Sequence, residues 1–414
     1  MGHRIKNKKN EKKKASKQKD TPNYSSFLDY LNKHNTKQYP DSVIKELEES
    51  LRLEKSENKK EKEKLTDYQI SEMKRVNSLS NKKNCGVPES QKTDCSGKII
   101  KAHTVSKKFL KSIAENGKLL GIPKLSATPN EPSFEYKDLG INQASTFTGF
   151  CSYHDREIFS EIENKEIIFS KKQCSLLAYR SIVMELYKKD LMSKIFSKDS
   201  ILEYSKQPVE HSNNPMIQAS IFQEKYEGFM AMEGMNKGSE LAKQDLRYLL
   251  DIFSKNIFDN NNFDFLNNFV IKFKKIPNMM TSFCFTPDYD FNLNKIQDLS
   301  SKDRVKLVII NSVTTSEGGA IIFSWLKEDD ETISKFINSI KNIETDKLTN
   351  SIIQLFLKYS ENTFLRKSWY NNLPEEKKGF IEKLKMSLFY DDVVFKIEDV
   401  ELDDWEFDGF IEVK

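Results

Sequence analysis

Between residues 172 and 258 apolar side chains recur every three to four positions. Leu176, Leu177, Tyr179, Ile182, Val183 and Leu186 make one such stripe, and Leu241, Leu246, Leu249, Leu250 and Phe253 make another. That period gathers them on one side of a helix, so residues 166–265 are expected to form a helical section with buried faces. From Asn268 the period changes. Residues 269–273, 281–285, 305–310 and 320–325 are short runs of β-branched and aromatic residues, the last two joined across the turn-forming Glu317-Gly318-Gly319. They predict an antiparallel meander. Helical spacing returns over residues 331–341, 348–359 and 374–388, the last with Pro374 in its first turn and Glu375 and Glu376 behind it. Residues 266–414 therefore read as an α+β domain.

Upstream, the pattern is weaker. Residues 82–165 hold short β-like runs, such as Lys98-Ile-Ile-Lys-Ala, set among Gly97, Gly117, Gly121, Gly140 and Gly149, which predicts a compact, loop-rich module. Residues 1–40 are polar and rich in Lys, Asn and Ser. From Asp41, a helix with Ile44, Leu47 and Leu51 on one side leads into the alternating charges of residues 55–64. Residues 1–80 are thus expected to be a basic disordered arm and a charged helix.

Charge sharpens this division. Residues 1–20 carry nine Lys or Arg against two acids, and residues 391–414 carry ten Asp or Glu against two Lys. A basic arm of this kind can neutralise phosphates and give salt-sensitive attraction to nucleic acid; it has no aromatic residue before Tyr24 on which a base could stack, which fits a solubilising arm equally well. No stretch approaches the roughly 18 uninterrupted apolar residues of a membrane span, and no apolar segment of a signal peptide follows the Lys-rich start. A cytoplasmic protein without membrane contact is expected. The 5 cysteines are too few and scattered for a disulfide framework, so they are core thiols or metal ligands.

Their positions favour ligands. The stretch opens at Cys85, continues to Cys95 and through Lys-Ala-His103-Thr, and closes with Gly149-Phe-Cys151-Ser-Tyr-His154-Asp155. Structural zinc takes four nitrogen or sulfur ligands, usually in two short-range pairs. Cys151 and His154 form a C-x-x-H knuckle at the start of an expected helix, and Cys85 and Cys95 offer the second pair across a wider loop. Cys174 and Cys284 sit in apolar runs and read as core thiols. His103 follows an apolar strand-like run and has three open roles: general base, zinc ligand in place of Cys85, or hydrogen-bonded structural histidine. Asp155 and Glu163, eight residues apart, share one side of the expected helix and are candidate magnesium ligands, because hard cations prefer carboxylate oxygens; solvated helix residues would look the same.

The segment resembles the HNH nuclease family, in which a strand delivers the general-base histidine and a zinc knuckle staples the following hairpin to a helix. Lys-Ala-His103-Thr-Val looks like the strand-borne histidine, and Gly149-Phe-Cys151-x-x-His154-Asp155 looks like the second knuckle and metal-site helix. The same pairing is similar to a broad set of bacterial proteins of unassigned function. The resemblance covers under a quarter of the chain. It departs from the family pattern at the central Asn, since the nearest, Asn142, lies nine residues before Cys151, and at the third motif position, where the helix has no histidine.

The fold expected is α+β: a small zinc-stapled HNH-like ββα module, a helical section, and a C-terminal antiparallel sheet with helices. The resemblance implies a metal-dependent endonuclease, with structural zinc on Cys85, Cys95, Cys151 and His154, and catalytic magnesium or manganese near His103, Asp155 and Glu163. It implies nucleic acid as partner, DNA first, in a setting such as bacterial defence against phage. The competing expectation is a non-catalytic, zinc-dependent protein that binds nucleic acid or a partner, with the C-terminal domain free to recognise a protein.

Overall fold

The computed structural model describes residues 70–72, 74–76, 78–80, 83–122, 135–206, 209, 215–301, 303–390 and 396–413. The basic arm and the helix predicted from Asp41 lie outside the described residues. The chain divides into two compact units, residues 1–66 with 198–234, and residues 67–197 with 235–414. The described part of the first is helical, made of α4 (Lys198–Ser205) and the first half of the long α5 (Pro215–Ser254). All sheet and every site discussed below belong to the second.

That unit opens with β1 (Ile99–His103) and α1 (Lys107–Ile113), then the hairpin β2 (Lys118–Gly121) and β3 (Lys137–Gly140), then β4 (Thr146–Cys151) and α2 (Ser152–Glu163). β1 and β4 pair antiparallel, with Ile99 opposite Cys151 and His103 opposite Thr146, and α2 follows directly, so β1, β4 and α2 form a ββα unit. Next comes α3 (Lys171–Ile195). Beyond α5 lie β5 (Leu266–Phe273), β6 (Met279–Phe285), β7 (Val308–Thr315) and β8 (Gly318–Leu326). They are followed by α6 (Asp330–Lys341), α7 (Thr345–Tyr359), β9 (Thr363–Leu365), α8 (Lys367–Asn372), α9 (Glu375–Tyr390) and β10 (Phe407–Glu412).

The fold is α+β, with one eight-stranded sheet ordered β10-β5-β8-β7-β6-β9-β2-β3 in which every neighbouring pair runs antiparallel. Two departures from the sequence expectation stand out. The meander holds for β6, β7 and β8, but β5 pairs with β8 and not with β6. The link from β5 to β6 must therefore cross the end of the β7–β8 hairpin. The two glycines make room for it: a Cβ on Gly318, whose φ is +150°, would lie 2.2 Å from the Phe273 carbonyl oxygen, and one on Gly319 would lie 2.1 Å from Pro277 Cδ. Gly318-Gly319 thus permits a chain crossing as well as a turn. Secondly, the β2–β3 hairpin, which lies between the two strands of the ββα unit in sequence, joins the large sheet, with Leu120 opposite Leu365. The sheet therefore draws strands from both residues 82–165 and residues 266–414.

The strands read as continuous apolar runs because the sheet is covered on both faces. Along β5, Leu266 and Val270 point into one core with α3 and the ββα unit, whereas Phe269, Ile271 and Phe273 point into another with α6 and α7. α3 is buried almost all round from Gln173 to Glu185, as befits a helix between the ββα unit and the sheet. In the second predicted stripe Leu246, Leu249 and Phe253 are buried, but Leu241 is exposed. Residues Thr363–Leu365, between the helices expected at 348–359 and 374–388, form a sheet strand.

Candidate metal centre and the polar site beside it

β4 ends where α2 begins, and Cys151 stands at that junction as the cap of the helix, its Sγ accepting the His154 N–H at 3.4 Å. One helical turn on, His154 turns Nδ1 back toward the same point. The preceding loop lies alongside β4 through Gly86 N–H to the Gly149 carbonyl at 2.7 Å, which delivers Cys85. A short 3-10 turn, Glu89–Asp94, then returns the chain so that Cys95 arrives from the other side. The ligand atoms of Cys85, Cys95, Cys151 and His154 lie within 4.8 Å of one another.

His154 Nδ1 is 3.5 Å from Cys85 Sγ, 3.5 Å from Cys95 Sγ and 3.3 Å from Cys151 Sγ. A tetrahedral zinc with sulfur at about 2.3 Å and nitrogen at about 2.05 Å sets sulfur and nitrogen about 3.5 Å apart. The donor set and spacing fit a structural metal such as zinc, and all four expected ligands are in it. Burial pushes the Cys85 thiol up to about 12. Burial also acts to raise Cys151, but the backbone amides of His154 and Ser96, the Ser96 hydroxyl and the Cys85 thiol outweigh it and bring Cys151 down to about 6. Cys174 is a fully buried core thiol, and Cys284 is half-buried on β6.

His103 does not belong to this cluster, so the alternative in which it replaces Cys85 as ligand fails. It ends β1, half-buried, with Nε2 2.9 Å from the carbonyl oxygen of Ile141. A carbonyl only accepts, so Nε2 carries the proton and the neutral ring presents a bare lone pair on Nδ1. Burial, and then the Arg180 and Lys107 charges, hold its pKa below the ordinary histidine value, against the pull of the Ile141 carbonyl and Glu163.

Asp155 and Glu163 are each half-buried on α2, and both interact electrostatically with His103. Asp155 has its Oδ1 buried with no hydrogen-bond partner, and burial raises its pKa, while Arg180 and His103 act to lower it. Glu163 differs. Arg180 Nη1 donates to its Oε1 at 2.6 Å and Ser106 Oγ donates to its Oε2 at 2.6 Å, so both oxygens are engaged. Burial acts to raise Glu163, but these partners and Lys108 bring it below the usual glutamate value. Through both oxygens the Glu163 carboxylate ties α2 to α3 and to the turn after His103.

Two contributors went unread in the sequence. Arg180 is 1% exposed on α3, with its guanidinium 4.0 Å over the Phe159 ring. Its signal was a lone cation inside the apolar run Leu176 to Met184, a placement that demands a partner. The Ile141 carbonyl left no side-chain signal at all. Compared with known proteins, the chain matches no family model, no curated protein and no solved structure.

Proposed function

We propose that the chain hydrolyses phosphodiester bonds in nucleic acid, with a zinc-stapled ββα unit that presents His103 as general base. The observation that carries this reading is the state of His103: its pKa held low, its ring oriented by the Ile141 carbonyl so that the lone pair lies on Nδ1, and the Asp155 carboxylate near enough to feel its charge. In that arrangement Nδ1 takes a proton from a water molecule as its oxygen bonds to phosphorus, and the bond to the leaving sugar oxygen breaks. The leaving oxygen takes its proton from solvent. The orphaned Oδ1 of Asp155 suits a hard cation completed by substrate phosphate and water, and such an ion, when bound, neutralises charge on the phosphate. Lys107, Lys108 and Arg180 supply positive charge around the site, as an anionic substrate requires.

One observation favours a second reading. With Glu163 engaged, a single carboxylate is left for a cation. A descendant that keeps the zinc staple and binds nucleic acid or a partner without cutting fits that poverty of ligands.

Incubation of the purified chain with DNA and RNA, with and without magnesium or manganese, tests both. The hydrolase reading expects metal-dependent cleavage that falls roughly a hundredfold in His103→Ala, while zinc content and melting temperature stay at wild-type values. Binding without cleavage of either nucleic acid supports the second reading and refutes the first.

A further inference from the structure

The ββα unit does not hold His103 in place by itself. Ser106, three residues beyond His103, caps α1 by accepting the Lys108 N–H at 3.4 Å, and its hydroxyl donates to Glu163 Oε2 at 2.6 Å. Glu163 closes α2. Its other oxygen is held at 2.6 Å by Arg180, which comes from α3, outside the ββα unit. Arg180 in turn is fixed by burial and by its stacking on Phe159, a residue of α2 whose ring is fully buried. A continuous relay therefore runs from α3 through α2 to the turn that leaves β1.

We infer that Arg180 is a positioning residue for His103, acting through Glu163 and Ser106. The inference rests on the hydrolase reading for its meaning in catalysis, but the relay itself has a readout that needs no cleavage. An arginine suits the post, because its planar guanidinium can stack on a ring and donate to a carboxylate at once, and it stays charged when buried. Unlike a water-filled gap, the relay transmits a displacement of α3 directly to the turn beside His103. The charged and titratable groups that act on His103 are Lys107 from α1, Asp155 and Glu163 from α2, and Arg180 from α3. Arg180 and Glu163 act on it with opposite sign.

The relay is tested at its uncharged link, because removing either charge shifts the His103 pKa whether or not a relay exists. NMR of the His103 ring is to be compared in wild type, Arg180→Met, Arg180→Lys, Ser106→Ala and Ser106→Thr. If the relay positions the ring, Arg180→Met and Ser106→Ala should both move its resonances, while Arg180→Lys and Ser106→Thr, which keep a donor to Glu163, stay close to wild type. Ring resonances unmoved in Ser106→Ala overturn the inference, whether or not Arg180→Met folds. On the same proteins, Arg180→Met should reduce kcat for cleavage by roughly a hundredfold with KM little changed, the cost of a misplaced catalytic group. If Ser106→Ala moves the ring and wild type cleaves nothing, the hydrolase reading falls and the relay stands. If wild type cleaves and the ring ignores Ser106→Ala, the relay falls and the hydrolase reading stands.

Discussion

Replacing Cys151 with Ser removes the sulfur that joins the metal cluster to the β4–α2 junction. Its Sγ is fully buried, accepts the His154 N–H and lies 3.3 Å from His154 Nδ1. A serine hydroxyl is shorter and does not ionise near neutral pH, so it leaves three ligands of four. Structural zinc contributes about 10–16 kcal/mol in small peptides at pH 7, a figure as large as the about 5–15 kcal/mol that separates a folded domain from its unfolded state. The whole protein need not bear that loss. Residues Glu89–Asp94 bury no side chain and are tied back by Lys92 Nζ to the Cys85 carbonyl at 2.8 Å, so a metal held at Cys85 and Cys95 would be their main anchor. Phe147, Phe150, Phe159 and Ile162, in contrast, remain in a core shared with α3 and the sheet. Local release of the Glu89–Asp94 turn caps the global cost at about 3–5 kcal/mol, that of a buried polar group stripped of its partner. The melting temperature should then fall by roughly 5–8 °C for a unit of this size. Metal analysis, calorimetry and amide hydrogen exchange check each part: zinc lost, melting lowered, and protection lost at Glu89–Asp94 before β4. A zinc-free variant with unchanged melting and unchanged protection refutes the argument, as does wild-type protein that never held zinc.

Three further outcomes follow from other parts of the molecule. Cleavage by wild type should rise with pH through the depressed pKa of His103 and be level at neutral pH, because only the neutral ring accepts a proton; a rate that falls over that range refutes His103 as base. Burial lowers Lys385, which stacks on Tyr136, to about 8, so between about 8 and its unfolded value of about 10.4 the folded state binds fewer protons and stability rises with pH. Lys385→Met should flatten that rise and stabilise the protein at neutral pH by up to about 3 kcal/mol, as read from urea unfolding at several pH values. Gly319→Ala should destabilise by about 1–3 kcal/mol or more, since its methyl group meets Pro277 at the chain crossing; a variant with wild-type urea midpoint shows that the crossing yields freely.

The candidate metal ligands were legible because thiol and imidazole spacing is local on one side of the site: C-x-x-H at a strand-to-helix junction already places two donors together. The strands of the sheet were legible from their apolar runs, but β7 was expected too early, at Val305, because its true second half, Asn311 to Thr315, is polar. Those polar residues have partners that periodicity does not reveal, such as Asn311 with Ser181 on α3 and Ser312 with the Thr281 backbone. The order of strands was not legible, since nothing local in residues 266–273 distinguishes β8 from β6 as a neighbour. Nor was the candidate catalytic site complete in the sequence. His103, Asp155 and Glu163 lie in the recognisable segment, whereas Arg180 reaches Glu163 from a helix whose pattern advertised only a core.

β9 is only three residues long, Thr363–Leu365, yet it is the sole strand between β6 and the β2–β3 hairpin. The ribosome makes the hairpin early and β9 late. At the other border, β5 waits for β10, which is later still. A nascent chain halted in α7 would therefore carry a sheet open at both borders, with the β2–β3 hairpin already made and no strand to join. Such unpaired borders invite wrong partners. This sheet is completed only after β9 and β10 have been made, and the ββα unit that bears His103 emerges with part of its support still to come.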